Sequence, residues 1–133
     1  MINKTRAAVY VEGFPAGTSI KNLLLYAQTV RTGKFADFDY GSKKNMEVYG
    51  RMTPSEFPVE NITNSHIAMI SGLNDFLATP KDVDILRSRL RVPLIMDLVV
   101  PYTKWSHFDF AIGIAAGKFV NKPVLQVLTK FNR

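Results

Sequence analysis

A chain of 133 residues with 47% apolar composition is long enough for one domain, and chains of this size bury about two-thirds of the surface they expose unfolded. The absence of cysteine excludes a disulfide scaffold and a thiolate metal site, and two histidines are too few for an all-histidine one. The formal charge of +6 is scattered, with no basic run and no aromatic ladder between the cations, which argues against a nucleic-acid-binding protein.

In chain order, Ala7 to Val11 is a short apolar run that predicts a strand, and it is too brief for the core of a signal peptide. No apolar stretch approaches the roughly 20 residues of a membrane span, so no transmembrane segment is expected. Gly13-Phe14-Pro15-Ala16-Gly17 reads as a loop. Thr18 and Ser19 then stand at a helix start, with Thr18 as the expected N-cap and Ser19 also a capping residue. The helix would present Ile20, Leu23, Leu24, Ala27 and Val30 on one face, a face that needs a covering partner, and Gly33 is placed as its C-cap. Lys34 to Pro58 has no sustained period and is rich in Asp, Gly, Ser, Lys, Asn and Pro, so a long irregular connection is expected. Asn3-Lys4-Thr5 and Asn61-Ile62-Thr63 are glycosylation sequons, which makes Asn3 and Asn61 candidate acceptors on a weak, three-residue signal.

The centre of the chain reads as a βαβ unit. His66 to Ile70 is nearly all apolar and predicts a strand buried on both faces of a parallel sheet, ended by Gly72. Asp75 follows beyond the carboxyl end of that strand, where open α/β sheets keep their reacting groups. Thr79 and Pro80 give an N-cap and a proline at the first helical position, and Asp82 lies in the first turn against the positive end of the helix dipole. Val83, Leu86 and Leu90 form the inward stripe of this helix, with Asp84, Arg87, Arg89 and Arg91 outward. Val92 to Val100 supplies the second strand, and Pro101 to Ser106 leads to His107. Lys118 to Phe131 makes a last amphipathic helix, with Val120, Val124, Val127 and Leu128 inward. The fold class is α/β.

Two adjacent parallel strands bring their carboxyl ends to one edge of the sheet, so Asp75 and His107 are candidates to meet there. A carboxylate bonded to one imidazole nitrogen fixes the tautomer and leaves the other nitrogen to take a proton from a nucleophile. Aspartate before histidine also fits the tail of the Ser, Asp, His order of α/β-hydrolases. On pattern alone, Asp75 reads equally as a turn or capping aspartate and His107 as a surface histidine. Asp109 is nearer to His107 in sequence, but residues two apart do not face each other on a helix and stand about 7 Å apart on a strand. Asp97 is expected near an edge or bend of the second strand, and His66 as a packed, hydrogen-bonded histidine at the start of the first. Trp105, Phe108 and Phe110 are expected as core aromatics around the His107 loop. No G-x-S-x-G elbow occurs in the chain, so it contains no candidate nucleophile of that type; Lys21 stands where Ser19 would need its second glycine.

These residues carry a family resemblance. Pro15-Ala16-Gly17-Thr18-Ser19 with Asn22 and Gln28 resembles the P-A-G-T-S-x-x-N segment near the end of the cap of the acid lipases, the α/β-hydrolases that include lysosomal acid lipase and gastric lipase. Lys34-Phe35 and Phe38-Asp39-Tyr40-Gly41-Ser42 resemble the stretch that follows it. Ser71 to Ala78 with Asp82-Val83 resembles the segment bearing the family's triad aspartate, and Ser106-His107-Phe108-Asp109-Phe110 the one bearing its triad histidine. The departures are Leu73 for a glycine, Thr79 for an aspartate, Ser106 for an asparagine, and the lack of the cysteine pair of mammalian members.

The resemblance implies the C-terminal part of an α/β-hydrolase fold, with residues 1–33 the end of the cap and 34–133 the end of the core. It implies a longer parent protein, not beginning at Met1, that hydrolyses neutral lipid esters at a lipid–water interface through an acyl-serine. Asp75 and His107 would be catalytic, with the serine supplied from elsewhere and this chain inactive alone. No metal or other cofactor is implied, and the implied compartment is secreted or lysosomal. From another function class, a non-enzymatic lipid- or protein-interaction protein would use the exposed helix faces instead.

Overall fold

The computed structural model describes residues 2–13 and 16–131, so Pro15 of the expected loop and lipase-like segment lies outside the described residues. The chain divides into two compact units, Met1–Phe14 with Val59–Arg133, and Pro15–Pro58.

The first unit is built on the expected βαβ. β1 (Ala68–Ser71) pairs in parallel with β2 (Met96–Val99), Ala68 opposite Met96 and Ser71 opposite Val99. Between them runs α4 (Pro80–Arg89), capped by the Thr79 side chain accepting from Asp82 N, with Pro80 in the first turn as expected. The strand is shorter and wetter than its sequence suggests. The sheet has two strands, so each has one neighbour; β2 alternates between half-buried and exposed residues, and Ala68 in β1 is exposed. His66 is correspondingly exposed rather than packed within a strand, its ring edge-on to Phe131 at 4.9 Å. Arg87 and Arg89 are half-buried, not outward: Arg87 grips Asp97 of β2 in two bonds of 2.6 and 2.8 Å, and Arg89 reaches Glu60 at 2.5 Å.

After β2 the chain closes over a core of Val100, Trp105 and Ala116, against which Ile70, Phe110, Phe119 and Val120 pack. The indole meets Phe110 and Phe119 edge-on at 5.7 Å each. A short helix α5 (Asp109–Ile112) follows, then a π-turn at Gly117–Asn121 leading into α6 (Lys122–Phe131). Val124, Val127 and Leu128 face Ile70 and Met96 across an apolar cleft of about 360 Å³, which leaves Leu128 57% exposed rather than buried.

Ala7 to Val11 is not a strand. Asn3 accepts from Thr5 N to cap a tight turn over Lys4–Arg6, which continues into helix α1 (Ala7–Gly13). A strand requires a neighbour to satisfy its backbone, and the extended pairing nearby is a single bridge from Ile2 to Gly113, whereas two alanines favour a helix that satisfies itself.

The second unit contains α2 (Ile20–Thr32), ended by Gly33 in the left-handed conformation at φ 66°. Its N-cap is Ser19, which accepts from Asn22 N, one residue later than Thr18. The face expected to be covered is exposed, Ile20 at 76% and Val30 at 70%, and the helix instead turns Leu25, Gln28 and Thr29 inward. The expected irregular stretch holds a further helix, α3 (Ser42–Tyr49), and a bridge between Ala36 and Glu56. Side-chain amides organise this unit. Gln28 donates to Asp37 O and accepts from Asp39 N, while the fully buried Asn45 accepts from Tyr40 N and donates to Asp39 Oδ1 and Met52 O. Among the described residues of both units no helix is long and apolar enough to cross a membrane.

Candidate functional site

Where β1 ends, Gly72 lets the chain turn against the second loop: a Cβ there would stand 2.8 Å from Trp105 O and 2.9 Å from its ring. The turn then brings Asp75 N to Gly72 O, and the Asp75 carboxylate folds back on its own loop. Its Oδ1 accepts from Leu77 N at 2.9 Å and Ala78 N at 2.8 Å, so the group is fixed by backbone before any side chain reaches it. It is 5% exposed.

Past β2, Val100 N bonds to Ser71 O and Trp105 N to Tyr102 O, and the loop delivers His107 to the same edge. His107 Nδ1 lies 3.0 Å from Asp75 Oδ2 and 3.2 Å from Oδ1. The imidazole side chain is 44% exposed, and its Nε2 makes no hydrogen bond among the described residues. A buried carboxylate on Nδ1 selects the neutral tautomer that carries its proton there, which makes Nε2 the basic nitrogen.

Burial is the largest single influence on Asp75 and pushes its carboxyl up, but the Ala78 and Leu77 N–H groups and the imidazole together outweigh it. The group therefore sits below the ordinary carboxylate value and is held as an anion. Two phenyl rings flank the pair, Phe108 edge-on to His107 at 6.1 Å and Phe76 against Phe108 at 6.0 Å. An anion held by backbone, an oriented imidazole and an apolar border make an arrangement in which Nε2 can accept and return a proton.

The structure thus brings together Asp75 and His107 of the expected residues. It does not add Asp109, which is 3% exposed and accepts from Ser106 N at 2.9 Å and Ser106 Oγ at 2.8 Å. Asp97 is tied to Arg87, and His66 stands apart at the apolar cleft. Asn61 is exposed, whereas Asn3 is half-buried with its Oδ1 engaged by Thr5 N and Oγ1. Sequence reasoning missed the bond from Asn74 N to Trp105 O, 3.1 Å, which joins the Asp75 turn to the His107 loop. The available signal was Gly72 itself, a glycine at a strand end where backbone approaches closely.

No protein-family model matches the chain. Curated proteins do. Lipase lipl-3 of Caenorhabditis elegans is 34% identical over 129 residues, which are 96% of this chain and 32% of that protein. Gastric triacylglycerol lipase of Bos taurus is 37% identical over 131 residues, 96% of this chain and 32% of the relative. Tear acid lipase-like protein of Mesocricetus auratus is 39% identical over 134 residues, 97% of this chain and 31% of the relative. The chain spans about a third of the length of the curated relatives it matches. Likeness at this level along nearly the whole of its own length settles its descent, and the chain belongs to the acid lipase family, the gastric lipases among its relatives.

Proposed function

We propose that this chain is the C-terminal part of an α/β-hydrolase that cleaves neutral lipid esters, triacylglycerol or sterol ester, and that it supplies the acid and base of the catalytic triad. The supporting observation is the contact of His107 Nδ1 with the buried Asp75 carboxylate, combined with an imidazole side chain that is itself 44% exposed. In the reaction, Nε2 of His107 takes the proton of a serine hydroxyl as that oxygen attacks the ester carbonyl. It then returns the proton to the leaving alcohol, and repeats the pair of transfers with water to release the acid. Asp75 orients the ring and stabilises the imidazolium in each half. The serine and the oxyanion-hole donors come from residues outside this sequence, so the chain alone is inert toward esters. Residues 1–33 are read as the end of the cap over the lipid site and 34–133 as the end of the core, working at a lipid–water interface in a secreted or lysosomal protein. Asn61 is the accessible glycosylation acceptor of the two sequons.

The test is made in the complete enzyme. Asp75→Asn leaves a neutral group that no longer supports the imidazolium and is expected to lower turnover by about 10⁴-fold, the scale of the same change in a serine-protease triad. His107→Ala removes the base itself and is expected to cost more, on the order of 10⁶-fold. Near-normal turnover by Asp75→Asn would sink the assignment. A second reading, an interaction protein without catalysis, draws on the exposed apolar face of α2. It predicts instead that the isolated chain binds lipid vesicles with wild-type strength after His107→Ala.

A further inference from the structure

The Asp75–His107 contact spans two loops, and each loop is fixed by a residue that touches neither partner's reacting atoms. Asp109 accepts two hydrogen bonds from Ser106, through its backbone N and its Oγ, and so closes the four-residue turn on which His107 stands. The same turn is held by Asp109 N bonding back to Ser106 O at 3.1 Å. Asp109 is deeply buried; burial raises its carboxyl, and hydrogen bonds including those from Ser106 bring it below the ordinary value, so it accepts as an anion. On the opposite side, the Trp105 carbonyl receives Asn74 N, the residue before Asp75. This approach is possible because position 72 has no Cβ: one would stand 2.8 Å from that carbonyl oxygen and 2.9 Å from the buried Trp105 ring, and neither is the free end of a flexible side chain that could give way.

We infer that Asp109 and Gly72 are positioning residues for the catalytic pair, Asp109 by closing the Ser106–Asp109 turn beneath His107 and Gly72 by admitting the Trp105 carbonyl that anchors the Asp75 turn. The inference rests on the proposed role of the pair but concerns its geometry. Small displacements matter here, since a misplacement of about 1 Å costs on the order of 10²-fold in rate for a reaction that depends on alignment. Ser106, where the family has asparagine, is the donor that couples side chain to turn, so this chain makes the clamp with a hydroxyl.

The tautomer of His107 reads the positioning directly and needs no nucleophile. In the full 133-residue chain labelled with ¹⁵N-histidine, the two imidazoles are His66 and His107, and exposed His66 serves as the internal reference. At neutral pH, His107 is expected as the Nδ1–H tautomer, and Asp75→Ala returns it toward the Nε2–H form of free imidazole. Asp109→Ala and Gly72→Ala are each expected to shift the Nδ1–H to Nε2–H ratio by about tenfold, the scale of one lost hydrogen bond to a charged group. Asp109→Asn keeps an acceptor for Ser106 and should restore most of the ratio, and Ser106→Ala, which deletes the hydroxyl bond alone, should shift it less. Glu60→Gln weakens the Arg89 pair on α4 and is the control: melting falls and the His107 ratio stays.

If Asp109→Ala and Gly72→Ala lower the melting temperature but leave the His107 tautomer unchanged, both residues are merely structural and the inference is overturned. Should Asp109→Ala fail to fold, an unchanged ratio in Ser106→Ala with Gly72→Ala decides against it equally. A wild-type His107 in the Nε2–H form would overturn the Asp75 pairing itself, and with it the proposed function. A normal wild-type ratio that resists the positioning variants removes only the inference.

Discussion

Among the described residues, the largest fully buried side chains of Val59–Arg133 are Trp105 and Val100, whereas that of Pro15–Pro58 is the amide of Asn45. The first unit is held by apolar volume, and its loops hang from a T-shaped aromatic cluster. The second is held by direction: three hydrogen bonds from one amide fix Tyr40, Asp39 and Met52, and Gln28 adds two more to the same stretch. Packing tolerates repacking of similar volume, but a buried amide has fixed donors and acceptors and tolerates little substitution. The proposed catalytic pair sits in the unit whose core is apolar, and Asp75 Oδ1 is satisfied by the backbone N–H groups of its own loop.

Substitutions can break this contrast. The largest effect is expected from Trp105→Ala, which leaves a cavity between Phe110 and Phe119 and should cost about 3–5 kcal/mol, enough to unfold the first unit and abolish the His107 signal. The residual helix content of α2 and α3, followed by amide exchange, should persist; loss of both units together would show that they fold as one. Next is Asn45→Ala, which removes the partner of the half-buried Tyr40 N–H and one hydrogen bond each from the exposed Asp39 and Met52, at about 1–3 kcal/mol in all. Exchange should accelerate over residues 37–52, while the tautomer of His107 stays as in wild type.

Acid sharpens the comparison. Among the described residues, the first unit carries four carboxylates held below their ordinary values, Glu60, Asp75, Asp97 and Asp109, and the second carries Asp39. A folded pKa below the unfolded one contributes stability that is full above the unfolded value and is lost as pH falls through the folded one. Glu60, bonded by Arg89 and lowered from 4.5 to about 2, sets the span of that loss. Between pH 4.5 and 2 the first unit should therefore lose stability more steeply than the second, read as residue-resolved exchange against pH. Equal slopes would mean that these pairs are as well made in the unfolded chain.

Legibility in the sequence followed the same divide. Thr79, Pro80 and Gly33 were readable because a cap acts within three residues of itself, and the βαβ order because its apolar runs are separated by a capped helix. Asp75 and His107 were readable as candidates from strand ends and from the family motifs. α3 was not, because SKKNMEVY has no apolar period and its inward residue is Asn45, a polar side chain that pattern reading assigns to the surface. Ala7–Val11 misled because β-branched residues suggest a strand whatever partners exist, and the deciding fact is a cap four residues earlier at Asn3. The clamp at Ser106 and Asp109 was hidden by spacing: three residues apart, the two looked like independent polar positions until the turn closed them.

Asp75 and His107 are 32 residues apart, joined by one strand, one helix and one turn. Closing a loop of that length costs about 3 kcal/mol in chain entropy beyond the constant term, and each doubling of the length would add only about 0.6 kcal/mol. Parallel pairing of β1 and β2 already meets that cost through the strand register, so the imidazole and its carboxylate come together as a by-product of forming the unit. The Asp75–His107 contact is therefore expected to form only when this long-range parallel pairing does, later than the helices, which close locally.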